Sequence, residues 1–403
     1  MQRGGAGGDA APHETDDAHA AAAAAAEDFK KRLVAWYDEL REKDATWKEL
    51  QEEKAAGWAS KAVEEQWRRR EQHFEKHKVD RKAYKQVPST RKYVAFYREW
   101  LPKIGPDLFA KDLQGGRGPA SGGAPSSVDR VFADVGSSPG GMCETLVALY
   151  GWRGHAFSLG VDSEGFGMSF AHARLTYHDA DLSEAGSWRT CLAATGENTC
   201  DFVNLGIVVD VGQKRKAAAA AAGAGGAGGG DAGGGDAGGG GGDATARGLV
   251  DGVENLDFVQ ILANELRFGL AALKRGGALY FALQVGGNLP LLYAILLRLR
   301  PAFSTARITP TFAVHRTPVY IYLGGYAGAD SAPGAAASRF LAETPTDGED
   351  AFLHWHVAEW TADVARLHTE LADDWHYVWR SQCRHLRDMR LDAERAQERN
   401  LRW

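Results

Sequence analysis

The sequence of 403 residues predicts an α/β domain with a mostly parallel sheet, preceded and followed by helical segments. Between residues 128 and 326, short apolar runs alternate with longer stretches of helical periodicity. Strands that alternate with helices need crossover connections, which place the strands in a parallel sheet covered on both faces. Outside that region the sequence is rich in charged residues and tryptophan, which favours amphipathic helices.

The composition limits the class of protein. Lys and Arg number 47 against 53 Asp and Glu, so the net charge is −6 and any contact with RNA needs a local basic patch. The sequence lacks a run of about 18 apolar residues and a cleavable leader, so we expect a soluble intracellular protein without a membrane segment, in the nucleus or the cytoplasm. The four cysteines lack C-x-x-C spacing, which predicts reduced thiols and no metal site.

The region before the α/β domain has two parts. Residues 1–26 are mostly Ala, Gly and acidic residues and predict a disordered tail. Residues 27–112 predict a helical extension, because the stretch to Gln86 is highly charged and free of proline. Trp36, Trp47 and Trp58 recur every eleven residues, about three helical turns, which predicts one face that contacts a partner or the body of the protein.

Within residues 128–326 the apolar runs predict six strands, at Val131–Val135, Ala156–Val161, Arg174–Tyr177, Phe202–Val209, Ala278–Leu283 and Val319–Leu323. The helical patterns lie at Met142–Leu149, Asn255–Leu273 and Leu289–Leu299.

Two further segments complete the organisation of the chain. Residues 214–247, dominated by Ala, Gly and Asp, predict a disordered insertion within the domain. Residues 350–403 predict Trp-rich and Arg-rich helices that fold back against the N-terminal helix. Together the two helical extensions are the predicted contact surface for a protein partner.

The most informative motif is the segment from Val131 to Met142, with the sequence VFADVGSSPGGM. An apolar strand containing Asp134 leads into a Gly/Ser/Pro turn and then a helix. Glycines let a ligand approach the backbone, and the first N–H groups of a helix attract an anionic group. The spacing Gly136-x-x-x-Gly140-Gly141 differs from the dinucleotide fingerprint G-x-G-x-x-G, which argues against a pyrophosphate site.

The segment from Asp134 to Gly141, DVGSSPGG, resembles motif I of the FtsJ-like ribose 2′-O-methyltransferases. The resemblance covers about residues 130–325 and extends to Gly160-Val-Asp162, to the segment Tyr177–Asp181 and to the last two predicted strands. It implies a Rossmann-like fold, S-adenosylmethionine as cofactor and RNA ribose as methyl acceptor. The implied cofactor-binding residues are Asp134, Gly136, Ser138, Pro139, Gly140, Gly141, Asp162 and Asp179.

These residue types suit the cofactor. S-adenosylmethionine carries an amino-acid carboxylate, a sulfonium and an adenosine, so its site needs a backbone cradle and acceptors for amine, ribose and adenine donors. The resemblance assigns Asp162 to the adenosine and Asp179 to the adenine amino group. Each Asp also has an alternative interpretation as a turn or cap residue after a strand.

The chain departs from the Lys-Asp-Lys-Glu tetrad of that family. Ala282 stands at the position of the central lysine, and Pro318, Val319 or Tyr320, depending on register, at that of the glutamate. The tetrad aspartate is either replaced by Gly206 or supplied by Asp210, which the position at a strand end favours.

The first tetrad lysine is Lys103 or Lys111. Two functions therefore remain open: a methyltransferase with Asp210 as catalytic residue, or an inactive cofactor-binding or scaffold protein. Basic clusters at Lys214–Lys216, Arg68–Arg70 and near Arg384 are candidate phosphate contacts or solvated faces.

Overall fold

The computed structural model describes residues 34–77, 90–115, 129–160, 167–207, 256–284, 289–311, 318–344 and 362–401, with positions 24, 28, 31 and 32. The predicted tail, apart from position 24, and the predicted insertion lie outside these residues. So do Asp162, Asp210 and the Lys214–Lys216 cluster.

A seven-stranded sheet forms the centre of the molecule, with the order β3-β2-β1-β4-β5-β7-β6. The strands are β1 Val131–Val135, β2 Arg153–Ser158, β3 Leu175–Asp179, β4 Cys200–Leu205, β5 Leu273–Gln284, β6 Phe303–Pro310 and β7 Pro318–Tyr326. Neighbouring strands among β1 to β5 are parallel, whereas β7 runs antiparallel to β5 and β6. This order confirms the predicted Rossmann-like α/β fold. The strand order reverses between β1 and β4, and sheets of this kind bind ligands in the crevice at the carboxyl ends beside such a reversal.

The helices are α1 Ala45–Ala59, α2 Lys61–His77, α3 Arg91–Ile104, α4 Pro106–Gly115, α5 Gly141–Glu144, α6 Trp188–Thr195, α7 Leu256–Ala272, α8 Leu289–Leu299, α9 Ala332–Glu343, α10 Ala362–Glu370 and α11 Ala372–Leu401. Residues 34–43 are also helical, and α5 continues as a π-helical turn over Thr145–Leu149.

Alternating side chains of the strands build two separate cores. One face carries Phe132, Phe202 and Tyr280, which pack under α3, α4 and α5. The other face carries Val203 and Phe281, which pack under α6, α7 and α8. The aromatic segment at residues 91–115 therefore covers the sheet, while only the part before it forms an arm.

The N-terminal arm packs against the C-terminal helix, as the sequence predicts. The rings of Trp47 and Trp379 lie 4.9 Å apart, and Arg387 pairs with Glu53 at 2.7 Å. Trp58, however, is 86% exposed, so the prediction of a shared face is wrong for this residue. At the distal half of α1 the contacts with α11 are ionic, since Glu53 pairs with Arg387 and Arg390.

Helix α11 also covers β6, which forms one edge of the sheet. The carboxylate of Asp374 accepts hydrogen bonds from the Ile308 backbone N–H at 2.8 Å and from Arg307 Nε at 3.0 Å. An edge strand with a free N–H group invites pairing with another chain, and this contact prevents it at Ile308.

Candidate functional site

Asp134 is the fourth residue of β1, next to the carboxyl end of the strand, and is 1% exposed. Its Oδ1 accepts a hydrogen bond from Asn204 Nδ2 at 2.6 Å, and its Oδ2 accepts one from Cys143 Sγ at 3.0 Å. Burial raises the pKa of Asp134 from 3.8 to about 6, and the two hydrogen bonds oppose this rise. The carboxyl group of Asp134 thus connects β1 to β4 and α5 by hydrogen bonds in the interior of the domain.

The first half of the motif turn crosses the exit of β4. The N–H groups of Gly136 and Ser137 both donate to the Phe157 carbonyl, at 2.9 and 3.1 Å. Gly136 has φ of +71°, and a Cβ added there would lie 2.9 Å from the backbone nitrogen of Ile207. Only glycine allows this conformation and this close backbone crossing.

The second half of the turn is covered by protein. The Pro139 carbonyl accepts hydrogen bonds from the N–H and the hydroxyl of Ser169, at 3.0 and 2.7 Å. A Cβ added to Gly140 would lie 3.0 Å from Met168, and one added to Gly141 would clash with the side chain of Tyr93. Side chains from distant segments therefore lie beside both glycines, and the assignment of Gly140 and Gly141 to cofactor binding stays a prediction.

The ends of β1, β2 and β3 are joined in one row. The hydroxyls of Ser138 and Ser158 lie 2.9 Å apart, and the Gly160 N–H donates to Asp179 Oδ1 at 2.7 Å. A Cβ on Gly160 would lie 2.5 Å from Asp179 Oδ2. Asp179 is exposed. The turn, the β2 exit and an accessible carboxylate thus line one edge of the sheet.

The two positions at which the chain lacks the lysine and the glutamate of the family's tetrad lie on neighbouring strands. Ala282 pairs with Tyr320 across β5 and β7, so of the three candidates for the glutamate position Tyr320 faces Ala282. The Tyr320 hydroxyl lies 3.0 Å from that of Tyr97, and its ring stacks on Tyr280 with centroids 4.6 Å apart. Burial raises the pKa of Tyr320 to about 12, so this phenol is neutral at neutral pH and is no general base there.

The exit of β4 clarifies the position of the tetrad aspartate. The strand ends at Leu205 rather than at Val209, and the Gly206 N–H donates to the Val135 carbonyl at 2.8 Å. Gly206 therefore occupies the carboxyl end of β4. The strand-end position that favoured Asp210 was wrong, and Asp210 itself lies outside the described residues. Of the two lysine candidates, Lys103 forms an exposed ion pair with Glu99 at 2.8 Å.

The structure adds residues that the sequence reasoning missed. Asn204 and Cys143 hold Asp134, and the buried Glu265 accepts a hydrogen bond from the Ile207 N–H at 3.0 Å. Asn204 had a visible signal, since it is a polar residue between Val203 and Leu205 in an apolar run. Within the described ranges, no three His, Cys, Asp or Glu side chains are grouped to hold a metal. No described helix could cross a membrane.

The strand order, with β7 antiparallel to both of its neighbours, is that of the Rossmann-like methyltransferase fold. No protein-family model matches the chain, and no curated protein matches its sequence.

Solved structures do match. One is a predicted O-methyltransferase from Agrobacterium tumefaciens, with 10% identity over 49% of this chain and 74% of that chain, at a TM-score of 0.28. A fibrillarin/Nop5p complex matches with 12% identity over 55% of this chain and 81% of that one, at 0.28. Human N-acetylserotonin methyltransferase in complex with S-adenosylmethionine matches with 12% identity over 71% and 69%, at 0.27. Because these scores are low, the fold assignment rests on the strand order.

Proposed function

We propose that this chain binds S-adenosylmethionine and is a methyltransferase. The observation that carries the proposal is the row of residues at the ends of β1, β2 and β3: Ser138 bonds to Ser158, Ser158 pairs with Asp179 across β2 and β3, and Asp179 accepts from the Gly160 N–H. In a doubly wound sheet, ligands bind at the carboxyl ends of the strands, beside the point where the strand order reverses.

The fit to the cofactor is best at its adenosine end. Asp179 is an accessible carboxylate that would accept the adenine amino group, and Asp162 would accept the ribose hydroxyls. The backbone of Gly136 to Ser138 would line the part nearer the sulfur. Asp134 would act indirectly, because its two oxygens already hold Asn204 and Cys143. When bound, the cofactor supplies a methyl group activated by a sulfonium.

The acceptor that the family resemblance favours is an RNA ribose 2′-hydroxyl. Ala282 cannot remove the hydroxyl proton, and the Tyr97–Tyr320 pair is neutral and buried. In this proposal Asp210, downstream of the β4 exit, takes the proton, and the other groups position the two substrates. Loss of one proton-transfer group costs about 10²–10⁴ in rate, so we expect slow turnover.

Calorimetry with S-adenosylmethionine tests the cofactor site. Asp179→Asn is expected to weaken binding about tenfold, because it replaces a charged acceptor with a neutral one. Asp181→Asn is the matched control, since Asp181 is also exposed and bonds only to Ser183 among the described residues. Absence of binding by the parent chain at millimolar cofactor, or equal loss in both variants, would contradict the proposal.

A second candidate is a catalytically inactive scaffold. The specific observation in its favour is the aromatic packing of Tyr97, Tyr280 and Tyr320 beside Ala282, which fills the place where the family has charged catalytic groups. The exposed Trp58 would then contribute to a partner surface on the helical arm. Transfer of a tritiated methyl group to capped or ribosomal RNA separates the two candidates. Label above that of Asp210→Ala supports the enzyme, and equal background in both supports the scaffold.

A further inference from the structure

Helix α7 carries two adjacent polar residues that are fully buried. Asn264 is 0% and Glu265 is 1% exposed, while their neighbours Ala263 and Leu266 belong to the apolar core. Burial of a polar side chain is unfavourable unless it makes hydrogen bonds, so the groups that these two side chains hold indicate their purpose.

Glu265 holds the exit of β4. Its Oε1 accepts a hydrogen bond from the Ile207 N–H at 3.0 Å, immediately after the Gly206 N–H has bonded to the Val135 carbonyl. This is also the point where Gly136 of the motif turn crosses the chain so closely that a Cβ added to it would lie 2.9 Å from the Ile207 nitrogen. The carboxyl group therefore fixes the backbone where the turn and the β4 exit cross.

Asn264 holds the exit of β3. Its Nδ2 donates to the carbonyls of Leu182 and Glu184, at 2.9 and 2.8 Å. This segment starts three residues after Asp179, the accessible carboxylate of the site. Asn264 and Glu265, which are consecutive in α7, thus hold the segments that follow β3 and β4. These two strands flank β2 and β1 in the sheet.

We propose that Asn264 and Glu265 are positioning residues of the crevice, which set the path of the chain after β3 and β4 and so the affinity for an adenosine-bearing cofactor. The inference rests on the proposed cofactor function and names residues that do not touch the cofactor. Burial raises the pKa of Glu265 well above its usual range, which favours the neutral carboxyl group. We therefore expect glutamine, a neutral acceptor of nearly the same shape, to take over its role.

Three variants test the proposal in the full chain by calorimetry with S-adenosylmethionine. Glu265→Leu and Asn264→Leu are expected to weaken binding about tenfold or more, since each leaves backbone groups without a partner. Glu265→Gln keeps the acceptor and is expected to bind within about twofold of the parent chain.

Asp201→Leu is the matched control. Asp201 also accepts a hydrogen bond from a backbone N–H, that of Val131 at 2.9 Å. This bond lies at the amino ends of β1 and β4, whereas the proposed site lies at the carboxyl ends. This control is expected to lose stability and to keep the affinity of the parent chain. Equal weakening in the control, or unchanged affinity in a folded Glu265→Leu chain, would overturn the proposal.

Amide hydrogen exchange at Ile207 gives a readout that needs no cofactor. Glu265→Leu is expected to speed exchange at this amide about tenfold, and Glu265→Gln is expected to restore protection. If the parent chain binds no cofactor, the proposed function fails while the exchange result still tests the positioning of the backbone. Unchanged exchange in Glu265→Leu refutes that positioning. Should Glu265→Leu not fold, loss of protection at Ile207 in Glu265→Ala decides in its place.

Discussion

Asp134→Asn is expected to remove a specific part of the pH dependence of stability. The folded chain holds the pKa of this carboxyl at about 6, whereas its ordinary value is 3.8. A group whose pKa is raised by folding stabilises the native state below its unfolded pKa, and this contribution is lost as pH rises through the folded pKa. The wild-type free energy of unfolding should therefore contain a falling component between about pH 4 and pH 7.

The size of this component follows from the shift. One pKa unit corresponds to about 1.4 kcal/mol, so a shift of about two units amounts to ~3 kcal/mol as an upper value. The asparagine variant keeps an oxygen to accept from Asn204 and carries no charge at any pH. The free energy of unfolding of the variant minus that of the wild type should accordingly rise by ~2–3 kcal/mol from pH 4 to pH 7.

Denaturant unfolding followed by tryptophan fluorescence measures this difference, because the chain has 12 tryptophans. Other titrating groups, including Glu265, are present in both proteins and cancel when the two are subtracted. A difference that stays constant within about 0.5 kcal/mol, or that falls with rising pH, would refute the claim that burial controls Asp134.

Three further outcomes are expected. Gly136→Ala should lower Tm by several degrees more than Gly151→Ala, which corresponds to a loss of about 1–3 kcal/mol in the free energy of unfolding. Both glycines have φ near +70°, but only Gly136 has backbone atoms within 3 Å of the new Cβ. Equal Tm values for the two variants would contradict this. Asp374→Leu should cost about 2–4 kcal/mol and increase light scattering, since it frees a buried N–H on the β6 edge; a stable, monodisperse variant would argue against it. Burial lowers the pKa of both His155 and His178, whose ring nitrogens lie 3.0 Å apart. The contribution of these two neutral histidines to stability is present above about pH 6.5 and is lost as pH falls. His178→Phe should therefore flatten the dependence of Tm on pH below neutral pH. An unchanged dependence would show that the pair does not contribute to it.

The sheet could be predicted largely from the sequence because its central strands are buried on both faces. Continuous apolar runs identified six strands, and β1 has the predicted bounds. Strand β6 escaped prediction, since Ser304 and Thr305 face solvent and its apolar residues do not form a run. Its edge is completed by Asp374, about 65 residues further along the chain, and no local pattern reveals such a partner.

The candidate site could be predicted only in part. The glycines and the proline after β1 predicted the turn. The position of Asp179 after a predicted strand indicated the carboxyl end of β3. The side chains that fill the second half of the turn, Tyr93 and Met168, come from segments that only the tertiary fold brings together. The predicted end of β4 at Val209 lies four residues beyond its end at Leu205, because the end of the strand depends on pairing with β1, which the sequence does not display.

The protection of the β6 edge by α11 bears on how the protein is made. During translation β6 leaves the ribosome before the helix that caps Ile308, because α11 begins about 65 residues later. For that interval the nascent chain presents an open β-edge, the type of surface on which unfinished chains associate. Premature termination between β7 and α11 should therefore yield a product that depends on chaperones, even though every strand of the sheet has already been synthesised.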